Sequence, residues 1–461
     1  MSSPETGSWA ELLRGRNGLR SLALAGGVAL HATNIFIVTT ILPTVVRDIG
    51  GLEYYAWNTT LFVVASILGS AVSSAVIDRL GLRTTFLLAM AVFAWGTVMC
   101  ALAGVMPVLL AGRTVQGFGG GMLLSMSYSS VRAVFAPALW SRAMVLISSM
   151  WGVSTLSGPA VGGIFAELGQ WRLAFWSVLP AVAGLALIVF TQVAPGRLAS
   201  AAKHRVPLGR IGTLALSVLV VSVASLSPWV WVQLAGVIAG GLLAVLMARF
   251  DSASSAPLFP TGSYSLRQPL GRLYAAICLL SLGVTSEVYV PYFLQTLHGL
   301  LPLMAGYWAA LMSAGWTLGA FVSSGRSPAM VERLLRIGPL VSAFALAALA
   351  VLIPGFVPGL GANWIVPALV GVGFGIGLCW PNLLTRVFTS APKGQENTAS
   401  AAITTVQLYA MAMGAAMAGL LTNAAGMANP GGPEGARQAA WVLFLVFALA
   451  PGLAVLTNKK S

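Results

Sequence analysis

Two charged side chains inside long apolar segments have the clearest chemical potential in this sequence. Glu287 lies within the apolar run 271–296, and Arg113 lies within the run 107–135. An ionised group in such a segment is costly and marks a functional hypothesis. A carboxyl group that can be protonated or charged suits proton exchange and attracts a cation, so we expect Glu287 to carry proton coupling. The alternative is a hydrated, passive glutamate near the end of the segment.

Arg113 and the first apolar run, 19–44, suggest a second polar position. Arg113 could pair with a carboxylate, a backbone carbonyl or a substrate, or it could be a structural arginine bonded to carbonyls of the first helix. His31 and Asn34 are three residues apart and therefore share a helix face. Imidazole titrates near neutral pH, although a histidine hydrogen-bonded between helices explains His31 equally well.

The composition indicates that lipid surrounds most of these segments. The chain has 461 residues, of which 57% are hydrophobic and 8% charged, whereas soluble domains carry about 25% charged residues. Cys100, Cys278 and Cys379 lie in apolar runs without metal-type spacing, so we expect no disulfide framework, no metal site and no cofactor. The first 20 residues are polar and basic, and we expect the apolar run that follows to be a retained first helix.

Fourteen segments are long and apolar enough to span a bilayer, which takes about 20 residues. Turn-rich stretches such as 104–107, 225–228 and 429–433 separate some of them. We place the spans at 19–44, 55–78, 84–105, 107–135, 141–167, 172–195, 209–227, 229–250, 271–296, 302–324, 338–358, 362–387, 397–425 and 438–457.

The basic residues set the expected orientation. An even number of spans puts both termini on one side, and placing that side in the cytoplasm leaves 21 of the 25 Lys and Arg residues inside. Only Arg47, Arg172 and Arg437 are then outside, as the positive-inside rule predicts. The net charge of +14 therefore reflects topology, and we expect the lipid bilayer, not nucleic acid, to be the partner.

The longest cytoplasmic links, about 196–208 and 251–270, divide the spans into six, two and six. We therefore predict a six-helix half at 1–196, a linker with two extra helices at 197–268 and a second six-helix half at 269–461. Two six-helix halves are typical of transporters that move one half against the other.

Short motifs follow the predicted spans in a consistent order. A charged loop follows the second span, the fourth and fifth spans are glycine-rich, and prolines mark the first, ninth and tenth. The sequences are Ile41-Leu42-Pro43, Asp78-Arg79-Leu80-Gly81-Leu82-Arg83, Arg113-Thr114-Val115-Gln116-Gly117, Gly158-Pro159-Ala160-Val161-Gly162-Gly163, Pro291-Tyr292-Phe293-Leu294-Gln295 and Pro302-Leu303-Met304-Ala305-Gly306.

Together these motifs resemble the major facilitator superfamily, and more narrowly its 14-span drug:proton antiporter branch, along essentially the whole chain. The resemblance implies an all-α polytopic membrane protein of the major-facilitator fold, in the cytoplasmic (inner) membrane, working as a monomer. It implies a conformational latch at Asp78, Arg79 and Arg83, and an antiporter motif at Gly158, Pro159 and Gly162. It also implies a role in proton transfer for Arg113.

The sequence departs from the branch in the first span, where Asn34 stands at the position of a typical Asp nine residues before Pro43. An amide cannot titrate, so a proton site is absent there, although Asn34 and His31 could bind substrate or water. We expect Glu287, Arg113 and His31 to serve proton coupling. Aromatic faces attract lipophilic cations, and the candidate substrate-binding residues are Asn34, Phe36, Gln116, Tyr128, Trp151, Trp308, Trp316, Trp380, Asn382, Gln407 and Tyr409.

These features predict a secondary active exporter that exchanges protons for amphipathic, cationic drugs. A dedicated exporter of one metabolite or antibiotic is an alternative that sequence does not separate. A non-antiport facilitator or importer is a second, kept open by Asn34. We expect no enzyme, because no cluster of His, Asp, Cys or Ser forms a credible reaction centre, and no G-x-x-x-x-G-K-[ST] sequence supports a nucleotide-driven pump.

Overall fold

The computed structural model describes residues 8–194, 207–254, 256–356 and 362–457. Within these ranges the chain forms helices and connecting turns, with no strand. An apolar chain in lipid must satisfy its backbone polar groups internally, which a helix does. Most of the predicted link at 196–208 lies outside the described residues, as do Arg197, Lys203, His204, Arg205, Lys459 and Lys460.

The chain divides into two compact units, and each has its own core. Unit 1 consists of Met1–Gly50 and Leu61–Ile211. Within it, Gly15–Ile49 packs extensively against Trp140–Glu167, and Leu82–Ala101 packs extensively against Met106–Ser129. In chain order its helices are α1 (Trp9–Leu13), α2 (Gly15–Ile49), α3 (Trp57–Leu80), α4 (Leu82–Ala101), α5 (Met106–Ser129), α6 (Val131–Val134), α7 (Trp140–Glu167), α8 (Trp171–Trp176) and α9 (Val178–Gln192).

Unit 2 consists of Gly51–Thr60 and Gly212–Ser461, so the start of α3 belongs to it. A 3-10 turn at Thr285–Tyr289 interrupts its third helical segment. Its helices are α10 (Leu208–Ala224), α11 (Val230–Ser252), α12 (Pro269–Val284), α13 (Val290–His298), α14 (Pro302–Ser323), α15 (Pro328–Leu352), α16 (Ile365–Ser390), α17 (Glu396–Ala424) and α18 (Gly432–Thr457).

Eleven helical segments of the described chain are long and apolar enough to cross a membrane. Leu208–Ala224 is apolar but shorter, and Met106–Ser129 and Pro302–Ser323 are long but fall outside the eleven. Met106–Ser129 contains Arg113 and five glycines, which lower its hydropathy. Each of the fourteen predicted spans overlaps one of these segments, but the count of fourteen membrane crossings stays a prediction, as do the predicted domain boundaries.

Small residues on α7 let it pack closely against α2 in unit 1. A Cβ added at Gly158 would lie 2.3 Å from Cβ of Phe36, and one added at Gly162 would lie 2.8 Å from the Ile37 carbonyl oxygen. Nearby, Thr33 donates a hydrogen bond to Ser154 at 2.9 Å. Close backbone approach through small residues is a common form of helix packing in membranes. The glycines of the predicted antiporter motif therefore hold α2 and α7 in contact.

One end of unit 1 is joined by a polar cluster around Asp48. Its carboxylate accepts hydrogen bonds from the Trp171 indole at 3.0 Å and from Arg172 at 2.8 Å. Arg172 also donates to the Ala103 carbonyl at 2.9 Å. The cluster connects the last turn of α2 and the end of α4 to the start of α8.

In unit 2 a buried carboxylate shapes the segment between α11 and α12. Asp251 accepts from the backbone amides of Leu258 and Phe259, at 2.7 and 3.1 Å, and from the Tyr264 hydroxyl at 2.7 Å. Tyr264 and Tyr274 pack edgewise or tilted against the Phe259 ring. Hydrogen bonds to an ionised acceptor are stronger than neutral ones, so Asp251 fixes the path of the predicted link at 251–270.

We predict opposite effects of the same substitution at two glycines of α7. Gly158→Ala forces Cβ into Phe36 and should lower the free energy of unfolding by about 1–3 kcal/mol. Gly152→Ala is the matched control, because a Cβ there meets no atom within 4 Å, and it should be neutral or stabilising by up to about 1 kcal/mol. Denaturant unfolding in mixed micelles measures both, and equal stability of the two variants would contradict the packing described.

Candidate functional site

In unit 1 the Arg113 guanidinium is fully buried and lies among amide oxygens. It donates to Oδ1 of Asn34 on α2 and, at 2.6 Å, to Oε1 of Gln116 one turn along α5. Gln116 in turn donates to the Thr97 hydroxyl at 2.8 Å, and Thr97 donates to the Phe93 carbonyl at 2.7 Å. The charge is thereby spread over a chain of hydrogen bonds that crosses from α2 through α5 to α4.

Aromatic rings complete the surroundings of Arg113. Its guanidinium carbon lies 4.1 Å from the centre of the Phe62 ring, a cation–π geometry. The buried His31 ring lies 5.2 Å from the same ring and meets Trp151 edgewise at 6.1 Å. The structure therefore brings together four predicted residues, Arg113, Asn34, Gln116 and His31, with Trp151 at the margin.

The glycines of α5 explain how Phe62 reaches this position. A Cβ at Gly117 would lie 2.2 Å from the Phe62 carbonyl oxygen, and one at Gly121 would lie 2.1 Å from that of Ser66. Ser66 also donates to the Gly117 carbonyl at 3.0 Å. Because α3 and α5 are in backbone contact here, the Phe62 ring lies over Arg113.

In unit 2, Glu287 lies in the 3-10 turn that separates α12 from α13. Pro291 explains the break, since it has no amide hydrogen to donate to the carbonyl four residues earlier, and its ring clashes with that carbonyl. The residue four positions before Pro291 is Glu287 itself. The Glu287 side chain is partly exposed, and its carboxylate forms no hydrogen bond or ion pair with any described residue. The predicted span 271–296 is therefore a broken helix, with an unpaired acid at the break.

An aromatic cluster lies at the end of this turn and the start of α13, within unit 2. The Tyr55 ring is 4.8 Å from Tyr289 and 5.4 Å from Tyr292, and its hydroxyl donates to the Val288 carbonyl at 3.4 Å. Thr422 donates to the Tyr289 hydroxyl at 3.0 Å. Sequence reasoning did not single out these residues. Tyr292 lies in the proline motif, but nothing in the sequence connects Tyr55 to it.

Some of the other candidate substrate-binding residues meet in unit 2. The rings of Trp316 and Trp380 lie 4.7 Å apart, edge to face, and both pack against the core of that unit. The Tyr409 hydroxyl is 3.1 Å from that of Ser217 on α10. Four other candidates are half-buried: Tyr128, Trp308, Asn382 and Gln407.

The predicted latch residues lie at the turn between α3 and α4. Gly81 adopts φ +81°, which glycine tolerates without strain, and this allows the two helices to follow directly. The Arg83 guanidinium lies 3.9 Å from the centre of the Phe190 ring on α9. Asp78 is half-buried and Arg79 exposed. A latch function for these residues stays a prediction.

Together, the two polar positions can hold charge inside apolar surroundings in different ways. Arg113 is a permanent cation held by neutral acceptors, whereas Glu287 is an acid that can exchange a proton or meet a cation. In the described part of the chain no group of three or more His, Cys, Asp or Glu residues is placed to hold a metal ion.

Comparison with known proteins identifies the class. The model of the Major Facilitator Superfamily matches residues 24–415, and the chain belongs to that family of membrane transporters. It is thus a multi-pass membrane protein that handles small molecules and is not an enzyme.

Two curated relatives and one solved structure illustrate the similarity. The chain is 36% identical over 459 residues to the probable multidrug-efflux transporter Rv1634 of Mycobacterium tuberculosis, covering 97% of this chain and 96% of that protein. It is 23% identical to multidrug resistance protein 3 of Bacillus subtilis, covering 86% and 78%. The crystal structure of a bacterial homologue of the lysosomal transporter Spinster, inward-facing and unoccupied, matches with TM-score 0.63 at 18% identity and shows the same fold; the match covers 99% of this chain and 100% of that one.

We predict that Arg113 and Gln116 are energetically coupled. Gln116→Leu removes an acceptor from a buried charge and should lower the free energy of unfolding by about 1.5–3 kcal/mol. In the Arg113→Met background the same change should cost at least about 1 kcal/mol less, because the charge that needs the acceptor is gone. Denaturant unfolding of the four proteins of this cycle measures the coupling. Additive losses would show that the two side chains act independently.

Proposed function

We propose that this chain is a proton-coupled exporter of amphipathic, cationic drugs in the cytoplasmic membrane. It works as a monomer, with both termini in the cytoplasm. The observation that carries the proposal is the carboxylate of Glu287, which has no partner among the described residues and lies at a helix break inside an apolar segment.

Export is supported by the relatives and by the helix packing. The Rv1634 protein, similar over nearly the full length of both chains, is named a probable multidrug-efflux transporter. Gly158 and Gly162 occupy the motif that is associated with antiporters, and both lie at the contact between α7 and α2. The positive-inside pattern supports the cytoplasmic orientation of the termini.

Exchange at Glu287 follows from the chemistry of one acid in an apolar setting. A carboxyl group there is either protonated and neutral or ionised, and an isolated negative charge in low dielectric is costly. Arrival of a lipophilic cation stabilises the ionised form and displaces the proton. Arrival of a proton neutralises the carboxylate and releases the cation. Because the two ligands compete for one group, movement of one in one direction is coupled to movement of the other in reverse.

Arg113 and His31 take a supporting part in this proposal. Asn34 and Gln116 are uncharged, so they do not neutralise the Arg113 guanidinium. In this proposal Arg113 stays positive whether Glu287 is protonated or ionised. The Arg113 network thus fixes the contacts among α2, α4 and α5. The His31 ring packs against the Phe62 ring, which also lies over Arg113. A rearrangement of the hydrogen bonds around Arg113 would therefore change the surroundings of His31.

Aromatic residues supply the binding surface for the drug in this account. Trp316 and Trp380 present an edge-to-face pair, and Trp151 lies beside His31. Ring faces attract cations and bury apolar area without demanding one ligand shape. The half-buried Tyr128, Trp308, Asn382, Gln407 and Tyr409, together with Phe36, complete the proposed set of contacts.

We predict that Glu287→Gln abolishes pH-driven export and weakens binding of the cationic drug, while contacts with the aromatic residues keep that binding measurable. The amide has nearly the same size but cannot exchange a proton, so the gradient no longer drives transport. Proteoliposomes with an imposed pH gradient and a fluorescent lipophilic cation measure the flux, and fluorescence polarisation measures binding of the same dye to detergent-solubilised protein.

Glu434→Gln is the matched control, because Glu434 is an exposed glutamate whose nearest charged partner, Arg437, is 3.8 Å away. It should transport as the unmodified protein does. Full pH-driven export by Glu287→Gln would refute proton coupling at Glu287. Failure of the unmodified protein to move any cationic dye would favour a dedicated exporter of one metabolite, and pH-driven uptake of the dye in the reverse direction would favour an importer.

A further inference from the structure

Unit 1 contains a cavity that the proposed transport cycle does not use. It lies between α2, α7 and the α8–α9 region and has a volume of about 470 Å³. Sites for small molecules commonly fall between about 300 and 1,000 Å³. We call it the lateral cavity; its wall includes Leu30, Asn34, Ile37, Val161, Val178 and Leu185.

The wall of the lateral cavity is apolar with a few polar groups. Thr33, Asn34 and Ser177 are its polar members, and the Thr33 hydroxyl already donates to Ser154. The Asn34 oxygen accepts from Arg113, but the Asn34 Nδ2 group makes no hydrogen bond to any described residue, although the side chain is fully buried. An unsatisfied buried donor costs free energy that an acceptor entering the cavity would recover.

Part of the wall that α9 contributes to the lateral cavity is exposed. Ala181 and Gly184 of its wall are exposed at the surface of unit 1, and α8–α9 form one of the candidate membrane spans, Trp171–Gln192. A molecule dissolved in the hydrocarbon region can therefore enter without crossing water.

Depth and charge restrict the chemistry of the occupant. Asn34 is more than 14 residues from either end of the 35-residue helix α2, which at about 1.5 Å per residue puts it over 20 Å from both ends. The ester groups of phospholipids lie outside the hydrocarbon core, which is about 30 Å thick, and do not reach this depth. A cation is disfavoured because the Arg113 guanidinium is hydrogen-bonded to the same amide.

We propose that the lateral cavity binds a neutral lipophilic molecule from the bilayer, whose carbonyl-type oxygen accepts a hydrogen bond from Asn34 Nδ2. Such a ligand orients the Asn34 side chain so that the Asn34 Oδ1 atom faces Arg113. Neutral compounds are thereby recognised in unit 1, apart from the cation chemistry proposed for Glu287. This inference does not depend on the direction or coupling of transport.

The test uses deuterium-labelled benzophenone, a neutral lipophilic ketone that crosslinks to nearby C–H bonds under ultraviolet light. The purified full-length protein is irradiated with it in phospholipid nanodiscs, and mass spectrometry locates the labelled peptides. We expect labels on the cavity-lining parts of α2, α7 and α9. Diphenylmethane, which has the same two rings but no carbonyl, should compete about fivefold less well than unlabelled ketone, the ratio that one hydrogen bond of ordinary net strength gives.

Two variants and a control separate this site from unspecific labelling. Gly184 lies in the cavity wall and a Cβ there meets no atom within 4 Å, so Gly184→Leu can fill the cavity and should abolish the labels. Gly152→Leu is the matched control on α7, outside the cavity wall and equally free of clashes, and should retain them. Asn34→Leu should bring the fivefold preference for the ketone down to about one. Thermal unfolding of each variant verifies that it is folded.

Three results would overturn the proposal. The first is labelling of Gly184→Leu at the same positions as the unmodified protein. The second is equal competition by diphenylmethane and the ketone. The third is labelling that appears in delipidated micelles but not in nanodiscs, which would identify a phospholipid acyl chain as the occupant of the lateral cavity.

Discussion

A charged side chain inside a bilayer has lost the water that would stabilise it, and the protein must replace that water atom by atom. Around Arg113 the replacement consists of two amide oxygens, a hydroxyl relay through Thr97 and the face of the Phe62 ring. Each of these groups comes from a different part of unit 1. The glycines of α5 allow α3 to approach closely enough for Phe62 to lie over the charge. A side chain at these positions would push α3 away.

In the described part of unit 2 the charged side chain is left without groups that replace its lost water. Glu287 has no compensating group among the described residues, so its ionised form depends on what enters its surroundings. Pro291 breaks the helix at the position of this acid, and the tyrosines 55, 289 and 292 pack at the end of the break and the start of α13. A compensated cation in one unit and an uncompensated acid in the other give the protein one group whose charge is fixed and one whose charge can change. The exchange that we propose takes place at the second of these groups, Glu287.

The sequence predicted the helical class, the family and the positions of the apolar segments, because lipid leaves a chain few alternatives to helices. Arg113 and Glu287 could be selected as candidates from the sequence, because a charged residue within an apolar run is evident without a structure, and their roles stay predictions. The sequence did not predict Thr97 or Phe62 as neighbours of Arg113, or Tyr55 as a neighbour of Tyr289 and Tyr292. Each lies in a segment where a threonine or aromatic residue is ordinary, and only the packing of separate helices brings it to the site. The break at Thr285–Tyr289 was within reach of the sequence through Pro291, but the predicted span at 271–296 ran continuously across it.

Proton release on drug binding tests the exchange at Glu287 most directly. Tetraphenylphosphonium is added to purified protein in weakly buffered detergent solution at a pH where the carboxyl group is protonated, and a pH indicator records the released protons. We expect the unmodified protein to release a proton as the cation binds, and Glu287→Gln, which binds the cation more weakly and is tested at a saturating concentration, to release none. Equal proton release by the two proteins would contradict this expectation, because the exchanging proton would then belong to another group.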